Sequence, residues 1–240
     1  VTAFELAVQD VSGIAVATRV RPTRIELATA LSSGGLTPSI GLVRAAVASG
    51  LPVHVLVRPR LGDFEYGPEE RALLRADAGA ALDAGAAGIV VGGTRDGAVD
   101  GELMGSLIDL ADGAEVTFHR AFDVLSDRNS ALEALVDLGV TRILTSGGVE
   151  RAVDALDELR SLFRRAGGRV QVMAGAGVDA SNVVAIAATG VDAVHASAKR
   201  IESGAQAPAL SLGSDARAGG PDHETTDEDT ATAIRDALRG

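Results

Sequence analysis

The 240-residue chain contains no cysteine and no tryptophan, and its aromatic side chains amount to five phenylalanines and one tyrosine. Without cysteine, disulfides and thiolate metal sites are excluded. Aromatics make up 2% of the chain and hydrophobic residues 46%. The core must therefore be built from Ala, Val, Leu and Ile, the residues that fill buried parallel strands. Positive charge is also short, since 22 Lys and Arg face 33 Asp and Glu for a net charge of −11. That balance opposes association with nucleic acid or an anionic membrane, while leaving local basic sites open. No apolar run approaches the roughly 20 residues of a membrane-spanning helix, and no basic segment leads into an apolar stretch at the N-terminus. A cytoplasmic protein with neither nucleic-acid nor membrane partners is expected.

What is present is an alternation of short apolar runs with longer, Ala-rich amphipathic segments, the pattern of repeated βα units. Eight runs stand out, centred on residues 4–8, 24–27, 53–57, 89–91, 116–118, 142–144, 170–173 and 193–195. Gly50 with Pro52, Gly85 and Gly139 mark helix-to-strand turns, because glycine tolerates the left-handed conformation that ends a helix. Eight regular units favour closure into a (β/α)8 barrel over an open doubly wound sheet, and such barrels commonly run to about 250 residues. The expectation is an α/β fold with residues 1–240 forming a single domain. Residues 203–224, with Gly204, Pro208, Gly213, Gly219, Gly220 and Pro221, read as a surface excursion. Residues 225–239 read as a terminal helix opened by a capping box from Thr225 to Glu228.

In a parallel barrel, side chains at the C-terminal strand ends converge on one mouth, so polar residues there call for an explanation. Glu5 lies in the first strand, and Arg24 and Glu26 share one face of the second. An internal ion-paired layer and direct substrate contact are both open for these three, because an unpaired buried charge is costly. Arg58-Pro59-Arg60 leaves two guanidinium forks beyond the third strand, suited to carboxylate or phosphate, with Asp63 close by. Internal pairing with Glu26, Asp63 or Asp123 is the competing reading. His119, Arg120 and Asp123 follow the fifth strand, Ser146 and Gly147 the sixth, Gly175 and Gly177 the seventh, and His195 and Ser197 the eighth. Glycine turns after the last strands can expose backbone N–H groups to an anion. Phe64, Tyr66, Phe118 and Phe122 are expected to wall the same pocket.

His119 and His195 are the candidate metal ligands, imidazole being a common one. His54, four residues before Arg58, should lie about 13 Å deeper at 3.3 Å per strand residue, which argues against a three-histidine site. Glu5, Glu26, His119 and Asp123 are the candidate acid/base groups. Arg24, Arg58, Arg60, Asp63, Arg120, Ser146, Gly147, Gly175, Gly177, His195 and Ser197 are the candidate ligand contacts.

Several segments together resemble the CutC family. They are Arg24-Ile25-Glu26-Leu27, Gly34-Gly35-Leu36-Thr37-Pro38-Ser39, Arg58-Pro59-Arg60 with Gly62-Asp63-Phe64, Thr117-Phe118-His119-Arg120-Ala121-Phe122-Asp123, Leu144-Thr145-Ser146-Gly147-Gly148, Met173-Ala174-Gly175-Ala176-Gly177-Val178, and His195 with Ser197. The resemblance implies a TIM barrel, a cytoplasmic protein and a role in copper homeostasis, with copper as the implied metal. Cysteines that some relatives carry near the first two strands are replaced here by the neighbourhood of Ala7 and Ala28. Met104 and Met173 are the only soft ligands left. Two functions follow as expectations. One is a protein of copper homeostasis that binds copper. The other is a metal-independent barrel enzyme acting on a small anionic or phosphorylated metabolite, with His119 or a barrel glutamate as acid/base. A small anionic ligand is the expected partner, and a homo-oligomer is compatible with the sequence.

Overall fold

A computed structural model describes residues 2–203 and 223–240. Eight parallel strands close into a barrel: β1 (Ala3–Val8), β2 (Arg24–Leu27), β3 (Val53–Leu56), β4 (Gly88–Val91), β5 (Glu115–Phe118), β6 (Arg142–Thr145), β7 (Gln171–Ala174) and β8 (Ala193–Ala196). Each strand neighbours the next in sequence, and β8 pairs with β1. The outer faces carry the branched residues expected. Leu6, Ile25, Leu27, Val55, Ile89, Val91, Val116, Ile143, Val172 and Val194 are buried in one continuous core beneath the helices. Inside, Leu144, Met173 and Ala193 form a small apolar plug, and Ala28, Leu56 and Val90 a second patch.

The helices are α1 (Val11–Val20), α2 (Ile40–Val47), α3 (Pro68–Asp83), α4 (Gly101–Ala111), α5 (Arg128–Leu138), α6 (Leu156–Ala166), α7 (Val183–Ala187) and α8 (Glu228–Arg239). Four begin on an aspartate whose carboxylate accepts a first-turn N–H: Asp10, Asp100, Asp127 and Asp227. Gly139 ends α5 in the left-handed conformation, φ 81°, as its position in the sequence indicates.

Two features depart from expectation. The last helix begins at Glu228 under an Asp227 cap, and Thr225 is not its cap. Thr225 and Thr226 instead end a strand, His223–Thr226, that pairs antiparallel with Lys199–Glu202. Only the flanks of the expected 203–224 excursion are described, and residues 204–222 lie outside the described residues. A second hairpin, Thr94–Arg95 with Ala98–Val99, follows β4. Among the described residues, no helix is long and apolar enough to cross a membrane.

Candidate functional site

The inner face of the barrel carries charge on the strands flanking its closing seam. Glu5 on β1 is in register with Arg24 on β2 and with His195 on β8, and it is fully buried. Arg24 Nε donates to Glu5 Oε2 at 2.5 Å, and its Nη2 contacts Met173 Sδ at 3.2 Å. Glu5 Oε1 lies 2.8 Å from His195 Nδ1. Burial would raise the Glu5 carboxyl, but the His195 hydrogen bond and the Arg24 charge outweigh it and hold the group well below the ordinary range.

Glu26 stands two residues above Arg24, with Oε2 3.7 Å from His195 Nδ1. That oxygen is buried and has no hydrogen-bond partner. Burial, helped by the neighbouring Glu5 charge and opposed by His195 and Arg24, pushes Glu26 up to about 7. Against its own burial, the two glutamates hold His195 above its usual value. Glu26 and His195 thus stand side by side without a hydrogen bond between them, each shifted by the other's charge, and are supported from beneath by the Glu5–Arg24 ion pair.

Above this pair opens a cavity of about 490 Å³, lined by Glu26, Arg58, Phe64, His119, Arg120, Leu144, Arg151, Gly177, His195, Ser197 and their neighbours. Arg58 is buried and donates to the carbonyls of Gly34 and Gly35, both at 3.2 Å, and of Gly62 at 3.0 Å. It stacks 5.0 Å above Phe64, its Nε has no partner, and among the described residues it forms no ion pair. His119 accepts the Ala121 N–H on Nδ1 at 3.1 Å, while its buried Nε2 has no partner. Burial first, and then the Arg58 charge, lower His119 to about 3, so the ring is neutral. On the far side, Arg151 packs over Gly177. Ala176 and Ala198, both on the cavity wall, have φ of 84° and 42°. Among the described residues, the N–H groups of Gly177, Val178, Ser197 and Ala198 find no acceptor.

Of the residues singled out by sequence, the structure brings Glu26, Arg58, His119, Arg120, Gly177, His195 and Ser197 to this cavity. Glu5 and Arg24 lie behind it as support. Gly175 packs beneath, where a Cβ would come within 2.7 Å of Leu144 Cδ1 and 3.3 Å of His195 Cβ. Three other groups are engaged elsewhere. Arg60 donates to Glu70 at 2.5 Å, to Asp63 at 2.9 Å and to three carbonyls, and its guanidinium lies over Tyr66. Arg60 and Asp63 therefore brace the loop after β3. Asp123 accepts from Thr145 Oγ1, the backbone N–H groups of Ser146 and Gly148, Ser146 Oγ and Arg120 Nε. With its lone pairs filled, it organises the Ser146-Gly147 turn outside the cavity. Of the four aromatics expected to wall the pocket, Phe64 does so, whereas Phe118 and Phe122 are fully buried in the outer core.

Sequence reasoning missed Arg151, which no strand end signals, and Gly92. A Cβ on Gly92 would lie 2.5 Å from the His119 ring, so its bare backbone is what lets that ring fold over β4. At the opposite end of the barrel, Arg142 donates to Glu115, Thr117 and Gln171, and His54 Nε2 lies 3.4 Å from Glu115. His54 is thus far from His119 along the strand direction, in line with the depth argument.

Among the described residues, the donor atoms that could hold a metal are those of Glu5, Glu26 and His195, which all lie within 4.8 Å of one another. His119 is not among them. The set is oxygen-rich, and Arg24 already occupies one of its carboxylates. Met173 is taken up by Arg24, and Met104 is a fully buried residue of α4.

Residues 2–200 match the family model described as the CutC family. A family protein CutC of Agrobacterium fabrum is 46% identical over 184 residues, which cover 76% of this chain and 73% of the relative. A family protein CutC of Rhizobium meliloti is 37% identical over 237 residues, 98% of this chain and 95% of the relative. Among solved structures, CutC of Streptococcus agalactiae, to which a role in copper homeostasis is attributed, superposes with a TM-score of 0.78 at 30% identity. It covers 82% of this chain and 99% of its own. This chain belongs to the CutC family.

Proposed function

We propose that the protein is an enzyme that moves a proton on a small anionic molecule bound at the barrel mouth, with Glu26 as the acid/base group and the His195 imidazole, held by Glu5, beside it. The observation that carries this reading is the coincidence of three buried, unpartnered polar atoms on residues that line one cavity: Glu26 Oε2, Arg58 Nε and His119 Nε2. Buried polar groups are normally satisfied within the protein, and an unsatisfied set carried by the walls of one cavity is what a polar ligand would complete. A carboxyl held near pH 7 can both take and return a proton. Arg58, with Arg151, Arg120 and Lys199 around the same cavity, favours an anion although the whole chain is acidic. Salt screens the overall charge beyond about 8 to 10 Å, whereas these donors act at contact. The unclaimed N–H groups of Gly177, Val178, Ser197 and Ala198 are suited to a phosphate or carboxylate. Such a metabolite is also the ligand of a cytoplasmic protein, the location we propose.

The family's association with copper favours a second reading, and the donor chemistry opposes it for Cu(I). That ion prefers thiolate and thioether ligands, whereas this chain has no cysteine and both methionines are fully buried. Glu5, Glu26 and His195 offer hard oxygen and imidazole donors beside a guanidinium, so the residues do not fit that ion.

The enzyme reading is tested by thermal-shift screening against phosphorylated metabolites and organic acids. The expected result is a ligand that raises Tm for the wild-type chain and not for a folded Arg58→Ala variant. Equal stabilisation of both proteins overturns the reading.

A further inference from the structure

Arg58 and His119 come from strands on either side of β4, whose mouth position is Gly92. With no side chain there, His119 turns over β4, and it packs on the same Phe64 ring as Arg58. The Arg58 guanidinium carbon lies 5.0 Å from the Phe64 centroid, and the His119 ring centroid lies 4.8 Å from it. Each has its other polar atoms engaged. Arg58 Nη1 and Nη2 are bound to backbone carbonyls. His119 Nδ1 accepts an N–H, which fixes the proton of a neutral ring on Nε2. What remains without an acceptor is the buried Nε–H of Arg58, together with the second N–H of its Nη2, and the buried Nε2–H of His119. Glu26 and His195 line the same cavity from β2 and β8, on the arc of the barrel that contains β1. The mouth therefore has a proton-accepting arc and a separate, purely proton-donating arc.

We infer that Arg58 and His119 form an electrophilic pair for a carbonyl oxygen, and that the substrate is a small anionic carbonyl compound with an enolisable C–H facing Glu26. This rests on the acid/base reading of Glu26 and names the substrate class it acts on. In the step, the Glu26 carboxylate takes the proton from the carbon beside the carbonyl. The C–H electron pair becomes the C=C bond, and the carbonyl π pair moves onto oxygen. The charge that develops there is met by Arg58 Nε–H and His119 Nε2–H. Return of the proton from Glu26 to carbon closes the cycle, with no change of oxidation state. Preorganised donors of this kind in a buried site act mainly on the charged state that forms during reaction. The burial and the Arg58 charge that keep His119 neutral also stop it from protonating the enolate outright, so it acts as a donor only.

The test uses the intact protein with 15N-labelled histidine. Two-bond 1H–15N spectra between pH 5 and 8 are expected to show His119 protonated on Nε2 alone and unchanged with pH. The enolate mimics oxalate and phosphoglycolohydroxamate serve as probes. At least one is expected to move the Nε2–H resonance downfield and to bind about tenfold or more weakly in His119→Phe, as for loss of one charged-acceptor hydrogen bond. An imidazolium or an Nδ1–H at His119 overturns the inference and can be read on the wild-type chain even where the variant fails to fold. Failure of both mimics to bind also overturns it. Neither result touches the acid/base reading, which fails separately if no anion depends on Arg58.

Discussion

Glu5 and Arg24 occupy paired positions on adjacent strands, and their side chains meet in a buried ion pair of 2.5 Å. Removing one partner strands the other charge inside the barrel. Glu5→Gln and Arg24→Met are each expected to lower unfolding free energy by about 3 to 5 kcal/mol. The double variant Glu5→Leu/Arg24→Met should recover a large part of that loss, because no unpaired ion remains. Denaturant unfolding of the three proteins measures it, and additive losses in the double variant contradict the pairing.

Glu26 has the opposite pH signature to its neighbour. Its folded-state value of about 7 lies above the ordinary 4.5, so between those values the native state binds the proton more tightly than the unfolded chain. The stabilisation is fully present below pH 4.5 and is lost as pH rises through about 7. By linkage the change across the window is at most about 3 kcal/mol. The charged groups that act on Glu26 are His195 from β8, Glu5 from β1 and Arg24 from β2. Glu5 and His195 titrate too, and Glu5, held low, contributes with the reverse sign. The expected result is therefore differential. Relative to Glu26→Gln, the wild-type protein loses stability from pH 4.5 to 7 and then runs parallel to the variant. A constant difference across that range contradicts the raised value.

The strand pattern was legible because β-branched and leucine residues alternate with polar ones in runs that only a buried parallel strand tolerates. Inward positions such as Glu5, Glu26 and His195 follow from the period of two. What the sequence cannot display is which partner a mouth residue finds. Arg58 and Arg60 look equivalent on either side of Pro59, yet one turns to the cavity and the other to Glu70 and Asp63, because the intervening loop decides where each fork goes. Asp123 carries the chemistry of an acid/base group and is occupied by a turn. The hairpin between Lys199–Glu202 and His223–Thr226 pairs segments some twenty residues apart with little apolar patterning. No local signal marks it, and Thr225 could be mistaken for a cap.

Copper chemistry gives a third expected outcome. With only nitrogen and oxygen donors gathered at one place, the purified protein should fail to retain Cu(I) against a strong Cu(I) chelator. The measurement is a competition titration followed by the absorbance of the chelator complex. A stoichiometric protein complex that survives the chelator would contradict this and direct attention to His195 and Met173.

The final expected outcome concerns a residue with no side chain. Gly92 has an ordinary backbone conformation, since it is absent from the positive-φ glycines, so alanine there carries no conformational strain of its own. The difficulty is space. An added Cβ would lie 2.5 Å from His119 Cε1 and Nδ1 and 3.2 Å from the Ala121 Cβ. The ring cannot simply swing aside, because Phe64 packs 4.8 Å away and the Ala121 N–H holds Nδ1. Overpacking of this kind costs about 1 to 3 kcal/mol, which the barrel core can absorb while remaining folded. The displaced imidazole, however, no longer keeps its place in the cavity wall. Gly92→Ala is therefore expected to keep a cooperative unfolding transition with a modestly lowered Tm, and to show the same loss of oxalate or phosphoglycolohydroxamate binding as His119→Phe. Binding at wild-type strength in the alanine variant would mean that His119 does not need its place over β4, and that the donor pair is assembled in some other way.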